Sequence, residues 1–125
     1  SLINDTSHEL WVKNWIQICL RGLDKNHISD SLLIGVSSSG YSKNICLALD
    51  YAISKSCKAA LISATKPKFK GTYNSVLLDV EEYHTSEVLT LSLIYQLIHS
   101  AGFTCPKIEE SSSFNDKVID YSYRN

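Results

Sequence analysis

The chain has 125 residues, of which 44% are hydrophobic and 20% are charged, and its formal net charge is −1. That length fits one domain around a single hydrophobic core and excludes two such domains. The near-neutral charge excludes a global attraction to nucleic acid or to an anionic membrane. No apolar run approaches the roughly 20 residues that span a bilayer, and no signal-peptide pattern opens the chain. We therefore expect a cytoplasmic protein with no nucleic-acid or membrane partner.

The cysteine positions exclude a conventional metal-ligand motif. Cys19, Cys46, Cys57 and Cys105 are scattered along the sequence, and no C-x-x-C pair occurs. A chain that can build a proper core also has little need of a disulfide framework. We expect buried free thiols and no metal site.

The first part of the chain predicts the end of a strand and then an amphipathic helix. Residues 1–3 are typical of a strand end, and the polar residues 4–8 are typical of a turn. Six apolar residues then recur with the spacing of one helix face: Val12, Trp15, Ile16, Cys19, Leu20 and Leu23. Gly22 and residues 24–26 offer an end to this helix.

The middle and the end of the chain predict strands alternating with helices. Strands are expected over residues 31–36, 58–63 and 75–80, where short apolar runs are bounded by polar segments. Helices are expected around residues 45–53, with Ser42 as the N-cap, and over residues 87–100. The predicted fold class is α/β, a three-layer αβα sandwich with a doubly wound, mostly parallel sheet.

The last predicted helix, residues 87–100, is apolar nearly all round. One face would pack on the sheet, and the opposite face needs another cover. We expect that cover to be a second subunit in a homo-oligomer, a dimer or a tetramer. The alternative is burial under the C-terminal tail, whose apolar residues are Phe114, Val118, Ile119 and Tyr121.

The most informative segment is the serine loop, residues 37–42, which lies between a predicted strand and a predicted helix. Ligands of open α/β sheets bind beyond the carboxyl ends of the strands. The N-terminus of the next helix offers free N–H groups and partial positive charge, which suit phosphate. The serine hydroxyls would add donors, and Gly40 permits a close approach or a positive φ angle. A serine-rich turn with a helix N-cap is the alternative that the local pattern leaves open.

Rival motifs fail at this loop. A Walker A loop would need lysine where Tyr41 stands, although Gly35 and Gly40 have its spacing. A nucleophile elbow would need glycine where Ser39 stands. A flavodoxin-like nucleotide site would need a loop richer in glycine or threonine. The loop therefore does not favour nucleotide hydrolysis or serine-esterase chemistry.

Residues 30–45, followed by Ala48 and Ala52, resemble the phosphosugar loop and following helix of sugar-isomerase (SIS) domains. The phosphoheptose isomerase branch has D-V-L-L-G-I-S-T-S-G-N-S-x-N-V there, and residues 4–8 resemble the D-T-S-H segment after its second strand. The resemblance covers residues 1–102, the C-terminal two-thirds of such a domain, and leaves residues 103–125 as a tail. Because the chain begins at Ser1 and contains no methionine, we expect a fragment or edited form of a longer protein.

The resemblance implies a set of ligand-binding residues. The sugar phosphate would be held by Ser37, Ser38, Ser39, Gly40 and Ser42. An Asn-Asp pair of the family falls on Asn14 and Trp15, so Asn14 is the sugar-binding candidate and tryptophan replaces the aspartate. Asn14 could alternatively be an ordinary exposed polar residue, and Trp15 an aromatic residue of the core.

The resemblance also implies aldose–ketose isomerisation, which moves a proton between adjacent carbons and needs an acid and a base. In the family, a glutamate and an N-G-G-S turn lie upstream of the residues present here, and a glutamine and a histidine come from the last helix. Here that helix offers Glu87, Gln96 and His99, with His84 just before it. His99 is the catalytic candidate, and its alternative role is an interaction with the helix dipole. No cofactor is expected, and zinc is implied only by relatives that bind it at these positions.

Two functions follow from these predictions. As an enzyme, the chain would be a homo-oligomeric ketose–aldose phosphate isomerase for a substrate of the sedoheptulose 7-phosphate class. As a binding module, it would keep the phosphate loop without the isomerisation, as do SIS proteins that sense sugar phosphates or assist replication initiation. Trp15 in place of aspartate favours the second function.

Overall fold

The computed structural model describes residues 2–104 and residue 108, with side chains from residue 8 onward. Four helices and three strands follow one another along this part of the chain: α1 (Leu2–Arg21), α2 (Lys25–Ser29), β1 (Leu32–Val36), α3 (Lys43–Ser54), β2 (Lys58–Ser63), β3 (Asn74–Leu77) and α4 (Tyr83–Ser100). The strands form one open parallel sheet in the order β1-β2-β3. The predicted α/β class with a parallel sheet is confirmed.

The chain divides into two compact units, Ser1–Ser92 and Leu93–Asn125. The sheet, its loops and the first part of α4 all belong to the first unit. In the second unit the structure describes the rest of α4, residues 101–104 and Ile108. The predicted tail over residues 103–125 lies mostly outside the described residues.

The core of the first unit lies between α3 and one face of the sheet. Leu49 of α3 and Leu61 of β2 are fully buried there, together with Ala59. Gly35 of β1 allows the helix to approach closely, because a Cβ atom at this position would lie 2.9 Å from Ile45 Cγ2. The helix and the sheet are therefore packed without space for a larger residue in the middle of β1.

The opposite face of β1 is apolar and exposed. Leu32, Ile34 and Val36 alternate with the residues that face α3, and their exposed fractions are 55%, 37% and 40%. β1 is also an edge strand of the described sheet, because it pairs only with β2 among the described strands. The first unit thus leaves an uncharged strand edge beside an uncovered apolar surface.

Helix α1 packs against α3, and the predicted apolar face is partly confirmed. Leu20 is buried and Val12 and Ile16 are half-buried, as the spacing predicts. The prediction was wrong at Trp15, which is 60% exposed, and at Cys19, which is also exposed. Lys13 and Gln17 are half-buried instead. The buried face of α1 is therefore rotated toward these two residues.

The N-terminal prediction of a strand and a turn was wrong, because α1 begins at Leu2 and runs through both segments. No glycine or proline occurs within residues 1–21 to stop a helix there. The structure also contains the short helix α2, at residues where the sequence predicts the end of the preceding helix. Asp24 is its N-cap, and its carboxylate accepts the backbone N–H of His27 at 2.8 Å.

Two further boundaries differ from prediction. β3 ends at Leu77 instead of residue 80, because Asp79 adopts φ +57° and interrupts the strand geometry. The chain nevertheless continues beside β2, since Leu78 N–H donates to the Ser63 carbonyl at 2.8 Å. Helix α4 begins at Tyr83, four residues before the predicted start. The connection between β2 and β3, residues 64–73, is described throughout and contains no helix.

No helix in the described part of the chain combines the length and apolar character that crossing a membrane requires.

Candidate functional site

The carboxyl ends of the three parallel strands meet at one open cleft of about 210 Å³. Each strand contributes the residues that follow it: Ser38 and Ser39 after β1, Ala64 and Thr65 after β2, and residues 80–83 after β3. This is the edge at which open α/β sheets bind ligands. The serine loop predicted from the sequence therefore forms one wall of a cleft in the expected place.

Ser37 organises the serine loop from its buried end. Its side chain is 4% exposed, and its hydroxyl shares a 2.7 Å hydrogen bond with the hydroxyl of Ser42. The same oxygen accepts the backbone N–H of Ser42 at 3.2 Å. Ser39 is exposed by contrast, and its hydroxyl accepts the Tyr41 N–H at 3.2 Å. The structure thus gives Ser37 a shaping role, whereas Ser39, whose hydroxyl also lies 3.4 Å from that of Ser37, is exposed on the cleft side.

Gly40 adopts the positive φ angle that the sequence analysis allowed for it, +72°. The close approach that it permits is to another loop: a Cβ atom there would lie 2.7 Å from Pro67 Cα. Its own N–H donates to the Ser37 carbonyl at 3.0 Å. Glycine is required here by both the dihedral angle and the packing.

The N-terminus of α3 faces the serine loop without a side-chain cap. Ser42 occupies the predicted N-cap position with φ −65° and ψ 122°, but its hydroxyl bonds to Ser37 and makes no capping bond. Asn44 Oδ1 accepts the N–H of Ile45 at 2.9 Å. The N–H groups of Lys43 and Asn44 are left without intrahelical acceptors, as at any helix start, and they give this end of α3 partial positive charge.

The segment after β2 fixes the middle of the serine loop. The Ser38 carbonyl accepts the backbone N–H groups of Ala64 at 3.0 Å and Thr65 at 3.2 Å. The Thr65 hydroxyl donates to the Ser39 carbonyl at 3.0 Å. On the other side, the Ser38 hydroxyl is 3.1 Å from the hydroxyl of Ser86, a buried residue of α4. The segment after β2 and helix α4 therefore both hold the loop in place.

Two carboxylates that were not predicted from the sequence line the cleft opposite the serines. Glu81 and Glu82 follow β3, and both are exposed. Glu82 Oε2 accepts the Thr85 hydroxyl at 3.3 Å and lies 3.8 Å from His84 Nε2. Their position after a strand end could have identified them, since the carboxyl ends of parallel strands share one edge of the sheet.

The other predicted residues are not brought to this cleft together. Asn14 is exposed on α1 and is not among the residues that line the cleft. Glu87 is exposed on α4 in the first unit, whereas Gln96 and His99 belong to the second unit. His99 lies in the last turn of α4. The roles of Asn14 and His99 stay predictions.

The described cysteines are free thiols in three different environments. Cys57 is buried and Cys46 is half-buried, but Cys19 is exposed, which corrects the prediction of burial at that position. Burial raises the pKa of the Cys46 thiol above its ordinary value. Cys105 lies outside the described residues. Among the residues described, no group of three His, Cys, Asp or Glu side chains is close enough to hold a metal ion.

The candidate site is thus a cleft with Ser38 and Ser39 of the serine loop on one side and the carboxylates of Glu81 and Glu82 on the other. Its residues come from three loops that follow three neighbouring strands. Comparison with known proteins found no matching family model, no matching curated protein and no matching solved structure.

Proposed function

We propose that this chain binds a sugar phosphate at the serine loop, as a phosphosugar-binding domain of the SIS type. The observation that carries the proposal is the fixed loop at the N-terminus of α3, where the exposed hydroxyl of Ser39 stands beside a helix end without a side-chain cap. Partial positive charge and neutral donors together suit a phosphate group. The resemblance of residues 30–45 to the SIS phosphosugar loop supports the same ligand class.

The two sides of the cleft suggest an orientation for the ligand. The phosphate would lie at the serine loop, away from the negative charges of Glu81 and Glu82, because like charges repel. The sugar hydroxyls would then extend toward those carboxylates, which are good hydrogen-bond acceptors. Thr65 lies between the two sides. A phosphorylated polyol or monosaccharide has this sequence of groups along its length.

Mutation of the serine loop tests the binding proposal. Ser39→Ala alone, and Ser37→Ala combined with Ser39→Ala, should each weaken the binding of sedoheptulose 7-phosphate in calorimetry, and the double variant should abolish it. Ser75→Ala combined with Ser92→Ala is the matched control, since both serines are exposed and lie outside the cleft lining. Circular dichroism checks that each variant is folded. Unchanged affinity in both loop variants would refute the assignment.

The second candidate function is isomerisation of the bound sugar phosphate, and the cleft carboxylates favour it. An aldose–ketose isomerase needs a base that removes a proton beside the carbonyl and an acid that protonates the carbonyl oxygen. Glu81 supplies a carboxylate at the cleft for the first task. The sequence names His99 only as a candidate acid or base, and that role stays a prediction. The non-catalytic alternative, a sensor or assembly module, keeps only the binding step.

Deuterium incorporation distinguishes the enzyme from the binding module. Sedoheptulose 7-phosphate in deuterated water should gain deuterium at the carbon beside the carbonyl, and an aldose should appear in the NMR spectrum. Glu81→Gln should slow this exchange about a hundredfold or more, which is the usual effect of losing a general base. Asp30→Asn is the control, because it changes an exposed carboxylate outside the cleft lining. Binding without exchange would identify a binding module.

The remaining parts of the proposal concern assembly and location. We place the protein in the cytoplasm as a homo-oligomer, a dimer or a tetramer, whose subunits meet through residues 87–100. Val88 and Leu91 support this assembly, because their side chains are 67% and 55% exposed in the isolated chain. The complete three-layer, doubly wound SIS topology is part of the same proposal.

A further inference from the structure

A second cavity is lined by residues that do not line the cleft. It is a groove of about 660 Å³ between the first turns of α3 and the segment of residues 68–70. Its apolar lining includes Leu47 and Phe69, and Tyr41 stands at its end next to the serine loop. A groove of this size is in the range of small-molecule sites. The proposed sugar phosphate site does not use it.

The charges around this groove are mostly positive. Lys43, Lys68 and Lys70 line it, and Asp50 is the one acidic residue among the described lining residues. Lys43 pairs with Glu9 at 3.4 Å, whereas the ion pairs described for the chain do not involve Lys68 or Lys70. Both of these lysines are exposed. Two cations are therefore available to a ligand at one rim of the groove.

The lysine segment is anchored on both sides of its charges. Pro67 lies against Gly40, as the 2.7 Å distance from a Cβ atom there indicates. Phe69 packs against the hydrophobic core, and its ring contacts the Tyr73 ring in a tilted arrangement with centroids 5.2 Å apart. The Tyr73 hydroxyl donates to the Phe69 carbonyl at 2.7 Å. Lys68 and Lys70 thus stand on either side of Phe69, whose packing fixes the backbone of both lysines. A backbone that is fixed before the ligand binds lowers the entropic cost of binding.

We propose that this groove is a second ligand site, for an anion that carries an aromatic ring beside its phosphates, with a nucleoside diphosphate as the representative ligand. The phosphates contact Lys68 and Lys70, because ammonium groups form charge-assisted hydrogen bonds with phosphate oxygens. The base lies on the apolar lining and against Tyr41, which is 61% exposed and presents an aromatic face for stacking. This site and the cleft share no lining residue.

Binding of ADP, with pyrophosphate as the ring-free comparison, tests both halves of the proposal. The chain should bind ADP saturably in calorimetry at low ionic strength. Lys68→Ala combined with Lys70→Ala should weaken ADP and pyrophosphate about tenfold each. Tyr41→Ala should weaken ADP alone, and Tyr41→Phe should restore it, because phenylalanine keeps the ring.

Two controls separate this site from general charge effects and from the serine loop. Lys25→Ala combined with Lys58→Ala removes the same charge near the amino ends of the strands and should leave ADP affinity unchanged. Lys68→Ala combined with Lys70→Ala should lose ADP and keep sugar phosphate, since neither lysine lines the cleft, so that the two proposals can fail independently. The inference is overturned if ADP shows no saturable binding, or if the lysine variant binds it as well as the control does. Equal binding of an acidic peptide would also overturn it, because the groove would then select charge alone.

Discussion

At the scale of single residues, Gly40 combines two constraints that usually occur separately. Its φ angle of +72° is unfavourable for a residue with a side chain. The nearest backbone across from it, Pro67 Cα, would lie 2.7 Å from any Cβ atom. The neighbouring backbone cannot move as a flexible side chain could. One residue therefore sets both the shape of the serine loop and its distance from the lysine segment.

The variant Gly40→Ala should consequently destabilise the fold by about 1–3 kcal/mol, the usual cost of backbone strain of this kind. Denaturant unfolding followed by circular dichroism measures the loss. Gly22→Ala is the control, because a Cβ atom at Gly22 would meet nothing within 4 Å. Equal stability of the two variants would contradict the close contact described between the loops. We also expect Gly40→Ala to weaken sugar phosphate binding, since the loop must shift.

At the scale of secondary-structure elements, the sequence was most informative about the strands. β2 occupies the predicted residues 58–63, and β1 differs by one residue, because each is a short apolar run with polar flanks. The predicted β3 was too long at its carboxyl end, where the left-handed conformation of Asp79 interrupts the strand geometry. No local sequence pattern marks that conformation. The extension of α1 to Leu2 was not predicted, because the polar residues 4–8 are also typical of a turn.

In the candidate site too, residues within one local sequence pattern could be predicted, whereas residues that strand pairing brings together could not. The serine loop could be found from sequence, because a glycine and four serines stand together between a strand and a helix. Thr65 and Glu81 reach the cleft only through the pairing of β1 with β2 and of β2 with β3. Ser42 likewise makes no side-chain capping bond, because its hydroxyl is hydrogen-bonded to the hydroxyl of Ser37, five residues away.

The shortest helix, α2, should depend on pH through its N-cap. The backbone N–H of His27, and then its side chain, hold the pKa of Asp24 below the ordinary value of 3.8. A carboxyl with a lowered folded pKa stabilises the fold fully above its unfolded pKa and loses that contribution as the pH falls through the folded pKa. The difference in melting temperature between the chain and Asp24→Ala should therefore be constant above about pH 5 and shrink below about pH 4.

Asp24→Asn separates the charge from the hydrogen bond in this experiment. Asparagine keeps a side-chain oxygen for the His27 N–H and carries no charge. Its melting temperature should lie between those of the other two chains at neutral pH, and its difference from Asp24→Ala should not change with pH. A difference between Asp24 and alanine that persists undiminished in strong acid would show that the carboxylate charge contributes nothing to the cap.

At the scale of the whole molecule, the exposed apolar side chains of α4 lead to a prediction about assembly. We expect sedimentation equilibrium to show self-association at micromolar concentration, and Val88→Glu combined with Leu91→Glu to abolish it, because two buried charges would face a partner subunit. Ile18→Glu is the control, since Ile18 is a comparably exposed apolar residue on α1, at 56%. A chain that stays monomeric before mutation would contradict the assembly. Dissociation by the Ile18 variant instead would move the interface to α1.

The uncovered edge of β1 has a consequence for the chain at high concentration. Natural edge strands use charged residues and proline to prevent pairing with other chains. The five residues of β1, Leu32–Val36, include neither. A short, uncharged segment of high β propensity is also the type that stacks into cross-β fibrils. Crowding or heating should therefore favour intermolecular strand pairing at β1, and a lysine at Ile34, on the uncovered face, would be the smallest change that protects the protein from fibril formation.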